Sequence, residues 1–289
     1  MSLKAKKAEL TARYLFRAVV DAAAKLEAAG WGRGTAGDDR LEFELSDKAL
    51  EWARFAGAAQ GRAAKAGQTS LRNPAFFVAR LSLLLELMAL DCPPAIVATV
   101  FEGGDEVTWW AAWSLVEAAR GRHDPAWWRK EESWLRSLIT EEGCTCTIVQ
   151  DSSAAWEGLA LAAQRLAGCG WFDLAIVRAQ SDTMLKCTWP DDLRAVIAEL
   201  LAPSAPSPAM LLMPDFVVMS VLGRLILLLE LWCWGAHGST ARRIMDSGTP
   251  LDLWTMRLAE LLFQERWKPR WWDKSRGWHA KMQNAMREL

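Results

Sequence analysis

The sequence predicts a mainly α fold made by tandem duplication of a helical domain. Each copy is expected to hold about five helices and a small β-hairpin, with a pseudo-two-fold relation between the copies. Three observations lead there. The run Arg80-Leu81-Ser82-Leu83-Leu84-Leu85-Glu86-Leu87 returns as Arg224-Leu225-Ile226-Leu227-Leu228-Leu229-Glu230-Leu231, 144 residues further along a chain of 289. The same offset, without a gap, sets Gly104 on Gly248, Trp110 on Trp254, Arg122 on Arg266, Pro125 on Pro269, Trp127-Trp128 on Trp271-Trp272, Lys130 on Lys274 and Trp134 on Trp278. From Arg80 to Trp134, 15 of 55 positions agree, and Trp and Pro are scarce enough for their agreement to outweigh that of leucine. Finally, the chain is 52% hydrophobic with 18 Trp and one Tyr, which suits helices packed around large indole plugs. The copies are expected at 1–143 and 144–289, with Gly30-Trp31 answering Gly170-Trp171 upstream.

In chain order, 8–29 has a helical apolar period and ends at Gly30. Gly32 to Asp39 reads as a loop, and Leu41-Glu42-Phe43-Glu44-Leu45 alternates as a strand does. Ser46 caps a helix over 47–66, and a polar loop leads to Pro74 and a central helix over 74–90. Pro93-Pro94 break that helix; helices over 105–121 and 126–139 close the first copy. The second copy begins with a helix from Asp151-Ser152-Ser153 to about Gly168. Strands over 171–177 and 184–188 make a hairpin, and Pro190 opens a helix. A loop at Ala202–Pro208 leads to a long apolar helix, with further helices over 249–266 and 270–287.

Phe216–Gly235 is long enough to span a bilayer, but Arg224 and Glu230 within it argue for a buried central helix. Two charges six residues apart do not share a helix face, so each needs a separate partner. Duplication offers one: Arg80 facing Glu230 and Arg224 facing Glu86 across antiparallel central helices. The alternative is that all four reach the surface along their apolar stems.

Composition and motifs exclude several chemistries. A net charge of −1 gives no global attraction to polyanions. Neither a Walker-type phosphate loop nor Gly-x-Gly-x-x-Gly occurs. Cys144-Thr145-Cys146 is spaced too closely for a zinc knuckle, and the six cysteines do not coincide between copies. The Lys-rich start has no apolar signal-peptide core, so a cytoplasmic protein with free thiols and without cofactor, metal or membrane span is expected. His123-Asp124 before Pro125 reads as a helix-entry turn. Segment 41–123, through Leu45-Ser46-Asp47-Lys48-Ala49, Arg80-Leu81 and the helix after Val107, resembles the helical region behind the ATPase core of phage and plasmid primase-helicases. The nucleotide motifs of that family are absent, and no function is carried over.

The C-terminal stretch alternates cations with indoles: Arg266, Lys268, Arg270, Trp271, Trp272, Lys274, Arg276, Trp278 and Lys281. Arg122, Arg129 and Lys130 begin a weaker version in the first copy. Cations on phosphates and indoles stacked on bases suit nucleic acid. An amphipathic helix with Trp inward and charge outward is the other reading, favoured for the indoles because they match between copies while the charges match less well. The expected function is therefore a non-catalytic protein that binds nucleic acid or a nucleoprotein complex through a basic, Trp-rich surface. The alternative is a protein–protein adaptor or inhibitor with a Trp-lined groove. An enzyme using Glu86 and Glu230 as paired carboxylates ranks below both, since no nucleophile, metal ligand or phosphate loop accompanies them.

Overall fold

A computed structural model describes residues 3–37, 41–49, 52, 74–140, 152–179, 182–201, 216–236 and 238–288. The chain divides into two compact units, Met1–Cys146 and Thr147–Leu289. It is mainly helical, with two small hairpins. Cys144, Cys146, His237, the Ala202–Pro208 loop, the polar loop at 67–73 and most of the helix expected over 47–66 lie outside the described residues.

The first unit opens with α1 (Leu3–Ala28), then β1 (Gly32–Ala36) and β2 (Leu41–Leu45). The strands pair antiparallel, Gly32 opposite Leu45 and Ala36 opposite Leu41. The sequence had marked β1 as loop; its glycines carry no strand signal, and the ladder to β2 supplies what propensity does not. The Ser46 hydroxyl accepts from Ala49 N (3.4 Å) where a helix begins at Asp47. Next come α2 (Pro74–Ala89), α3 (Pro94–Phe101), α4 (Asp105–Ala119), a 3₁₀ turn (Ala126–Arg129) and α5 (Glu132–Thr140). Helix α3 was not expected. Pro94 at its first turn starts it as readily as Pro93 ends α2. The single helix expected over 126–139 is broken after Arg129, where Lys130 turns extended (ψ 144°). α4 packs on both α1 and α2.

The second unit runs α6 (Ser152–Gly168), β3 (Asp173–Ala179), β4 (Asp182–Thr188), α7 (Asp191–Leu200), α8 (Phe216–Trp234), α9 (Gly238–Met245), α10 (Thr249–Phe263), a 3₁₀ turn (Arg270–Asp273) and α11 (Arg276–Arg287). β3 and β4 pair antiparallel, Asp173 opposite Thr188. α9, like α3, is eight residues long and was not expected. α10 packs closely on α6, because Gly158 of α6 lies against the Ala259 backbone with no room for a Cβ. α8 is long and apolar enough to cross a membrane by length and composition, and 72% of that window is buried inside the protein.

The order of described elements matches in the two units, except that α7 has only the helix start at Asp47 as its counterpart. Several details at matching positions agree too. Gly104 and Gly248 precede α4 and α10 with φ of 58° and 64°, a left-handed conformation that glycine adopts without strain. Trp31 and Trp171, both fully buried, each donate their indole N–H onto the last helix of their unit: to Leu135 O (2.7 Å) and to His279 Nδ1 (2.9 Å). Lys25 Nζ donates to Trp128 O (2.5 Å), and Arg165 Nε donates to Trp272 O (2.9 Å).

Candidate functional site

The basic, Trp-rich stretch is laid out by the 3₁₀ turn and α11. Pro269 cannot donate an N–H and leads the chain into the turn, which drops Trp271 into the core with no exposed surface. Its counterpart Trp127 is buried in the same way. Trp267 is also buried, and Trp128, Trp134, Trp272 and Trp278 are half-buried. Trp271 and Trp278 wedge edge-on against His279, whose centroid lies 6.3 and 5.0 Å from theirs. Trp127, Trp267 and Trp271 are packing residues, and the other four indoles keep part of their surface exposed.

The cations of the stretch stay outside. Arg266, Lys268, Arg276, Lys281, Arg122 and Arg129 are exposed, and Arg270, Lys274 and Lys130 are half-exposed. Several are already engaged. Lys268 pairs with Asp273 (2.7 Å), Arg129 with Asp124 (3.3 Å) and Arg122 with Glu117 (3.7 Å). Lys130 sits 5.4 Å over the Trp134 ring. Arg270 lies 5.6 Å over Trp234 and donates to Cys233 O (3.3 Å).

The four charges of the central helices are all buried. This excludes the alternative that they reach the surface, and each is held by hydrogen bonds to partners within its own unit. Arg224 is held by Asp252 of α10, Nε to Oδ1 at 2.8 Å and NH2 to Oδ2 at 2.9 Å, and by Met245 O at 3.1 Å. At the matching position Arg80 donates to Thr108 Oγ1 and Gly104 O, each at 3.0 Å. Burial lowers the pKa of Arg80, and Asp105 partly opposes this. Glu86 accepts from Trp127 N (3.3 Å), with His123 Nε2 3.8 Å away. Glu230 accepts from Arg270 N and Trp234 Nε1, both at 2.7 Å. Each of these bonds stays inside one unit, because the first turn of α4 or α10 and the 3₁₀ turn bring partners directly against the central helix. The two carboxylates thus accept free N–H groups at the start of the 3₁₀ turns and hold those turns against the central helix. Burial pushes the Glu230 carboxyl up to about 7, while the Arg270 charge and the N–H donors pull it back.

Among the described residues of the first unit, the most exposed aromatics are two that the sequence reading passed over; Phe263 of α10 is 45% exposed in the second. Trp109 and Trp113 stand one turn apart on α4, 63% and 43% exposed, with Leu10 of α1 51% exposed. Phe76 meets Trp109 edge-on (5.7 Å), and the Arg120 guanidinium lies over both Trp113 (5.6 Å) and Tyr14 (5.3 Å). The alignment of the copies sets Trp109 and Trp113 opposite Leu253 and Arg257, but a missing indole counterpart does not mark exposure, since Trp234 and Trp267, opposite Leu90 and His123, are buried.

A cleft of about 570 Å³ beside the first hairpin is lined by Glu27, Gly30, Gly32, Arg33, Glu44, Leu45 and Ser46. Its one hydroxyl, Ser46, is used in the helix cap and on Trp31 O (3.1 Å). Among the described residues, no group of His, Cys, Asp and Glu is placed to hold a metal ion. No protein-family model, curated protein or solved structure matches the chain.

Proposed function

We propose that the chain is a non-catalytic binding protein that docks another protein on the face shared by α1 and α4. The observation that supports this is the exposure of Trp109 and Trp113, one turn apart on α4. Monomeric surfaces rarely leave paired indoles in water, and Trp is the residue most enriched at the energetic centre of interfaces. Phe76 meets Trp109 edge-on and Arg120 lies over Trp113, so part of the side-chain entropy is already lost before binding. A photo-crosslinking residue at position 109 tests the reading. A defined adduct that disappears when Trp113 is replaced by Ser supports it; adducts no different from those formed at exposed Arg136 overturn it.

A second reading, contact with nucleic acid, rests on charge. Residues 266–287 hold seven cations against Asp273 alone. With Trp127, Trp267 and Trp271 buried, such contact would run mainly through phosphates. Fluorescence anisotropy with a single-stranded oligonucleotide, repeated at rising salt, tests it. Replacing Arg266, Arg276 and Lys281 with Gln should flatten the salt dependence; binding that ignores salt would count against it.

Both readings sit on a duplicated domain. The shared element order and the paired bonds of Trp31 and Trp171, Lys25 and Arg165, support descent from one copied unit. The free thiols Cys92, Cys169, Cys187 and Cys233 suit a reducing cytoplasm.

A further inference from the structure

We propose that the cleft beside the first hairpin binds a small aromatic amine, a flat ring carrying a protonated nitrogen. The two hairpins carry the argument, because they are built alike and filled differently. Gly30 and Gly170 follow α1 and α6 with φ of 82° and 85°. Just after them, Trp31 N donates back to Leu26 O (3.0 Å) and Trp171 N to Leu166 O (3.1 Å). Arg33 is then set opposite Glu44 in one ladder, as Asp173 is opposite Thr188 in the other. This matches the strand ends residue by residue: Gly32 answers Phe172, and Leu45 answers Trp189.

In the second unit Phe172 and Trp189 pack edge to face, centroids 4.5 Å apart, and Phe172 is buried. The first unit has no ring at either position, and the cleft of about 570 Å³ opens there, within the usual size of a ligand site. A side chain at position 32 could not close it, since a Cβ on Gly32 would strike the Glu44 carbonyl and the Phe43 ring. The charges differ as well. Exposed Glu27 and Glu44 line the cleft where the second unit has Ala167 and Thr188. Arg33 is the one cation of the lining, so two carboxylates stand against a single guanidinium. Lys25, two residues from Glu27, is turned away onto Trp128 O. The C-terminal end of α1 adds to the negative potential. Space that rings fill in the other unit, rimmed by net negative charge, selects an aromatic cation over a neutral ring or an anion.

Titration of the full chain with phenethylamine, followed by two-dimensional NMR of the glycine amides, tests this. Saturable shifts at Gly30 and Gly32 are expected, with a roughly millimolar Kd, the strength a ring-and-amine fragment reaches in an open cleft. Phenylacetate has the same ring with the opposite charge, and butylamine has the cation without the ring. Each should bind at least about fivefold more weakly. Glu27→Gln should weaken phenethylamine about threefold, as loss of an exposed charge partner does. Leu45→Trp, which gives the first hairpin the ring of the second, should abolish the shifts with the helical circular-dichroism signal retained. Shifts that do not saturate, butylamine or phenylacetate binding as well as phenethylamine, or a folded Leu45→Trp chain that still binds it, overturns the inference.

Discussion

The carboxylate of Asp252 closes on the guanidinium of Arg224 with two hydrogen bonds, at 2.8 and 2.9 Å, and both residues are 2% exposed. Ser220 donates a third bond to the same carboxylate. Removing the acid leaves a cation sealed in a leucine-rich helix. Asp252→Ala is expected to cost about 3–5 kcal/mol, read as a fall in urea midpoint.

The first unit has Thr108 where the second has Asp252. If the units descend from one domain, the environment of Arg80 should accept the missing acid. Thr108→Asp is expected to stabilise the first unit by about 1–2 kcal/mol, because the buried cation already stands there and gains a charged partner. A thermal melt that falls instead would show that the two sites are not built alike.

Glu230 titrates at about 7 in the folded chain, above its ordinary 4.5, because it is buried. The folded state therefore holds this proton more tightly than the unfolded state. Its contribution is fully present below about 4.5 and is lost as pH rises to about 7. Across that window the loss is at most about 3 kcal/mol. Glu230→Gln should remove this slope from a plot of unfolding free energy against pH. A wild-type slope unchanged by the substitution would assign it elsewhere.

His279 carries the opposite sign. Burial first, then the Arg165 charge, lowers its pKa below the usual 6.5. Its neutral ring accepts the Trp171 N–H at 2.9 Å, and a protonated ring cannot. Stability from this contact is present above the unfolded pKa and declines as pH falls below it. His279→Leu, which could not accept the bond at any pH, should lower stability most at neutral pH and least in acid. Near-ultraviolet circular dichroism of the indoles follows it directly.

Gly158 is a packing glycine. A Cβ there would strike the Ala259 carbonyl, so α10 would have to move off α6. At an open helical site Gly→Ala gains up to about 1 kcal/mol; here Gly158→Ala is expected to cost about 1–3 kcal/mol. Equilibrium denaturation decides between the signs.

The sequence revealed most of the helices, because leucine periodicity and proline breaks act locally. It missed β1, where Gly32 and Gly34 contribute no side chain to a strand pattern and register comes from β2. It missed α3 and α9, whose eight residues give barely two helical turns of period. The burial of Arg80, Glu86, Arg224 and Glu230 was legible, since they sit inside apolar runs. Most of their partners were not, since apart from Trp234, one turn from Glu230, these lie 21 to 41 residues further along on other elements. The exposure of Trp109 and Trp113 was not legible from the copies, since Trp234 and Trp267 also lack an indole counterpart and are buried.

The indole bonds of Trp31 and Trp171 join residues 104 and 108 positions apart. Lys25 and Arg165 fasten the same seam across 103 and 107 positions. The opening helix of each unit also packs on α4 or α10, so these long-range bonds add a last tie to a helix already held; a protease that trims the closing helix should loosen the opening one to hydrogen exchange without unfolding the unit.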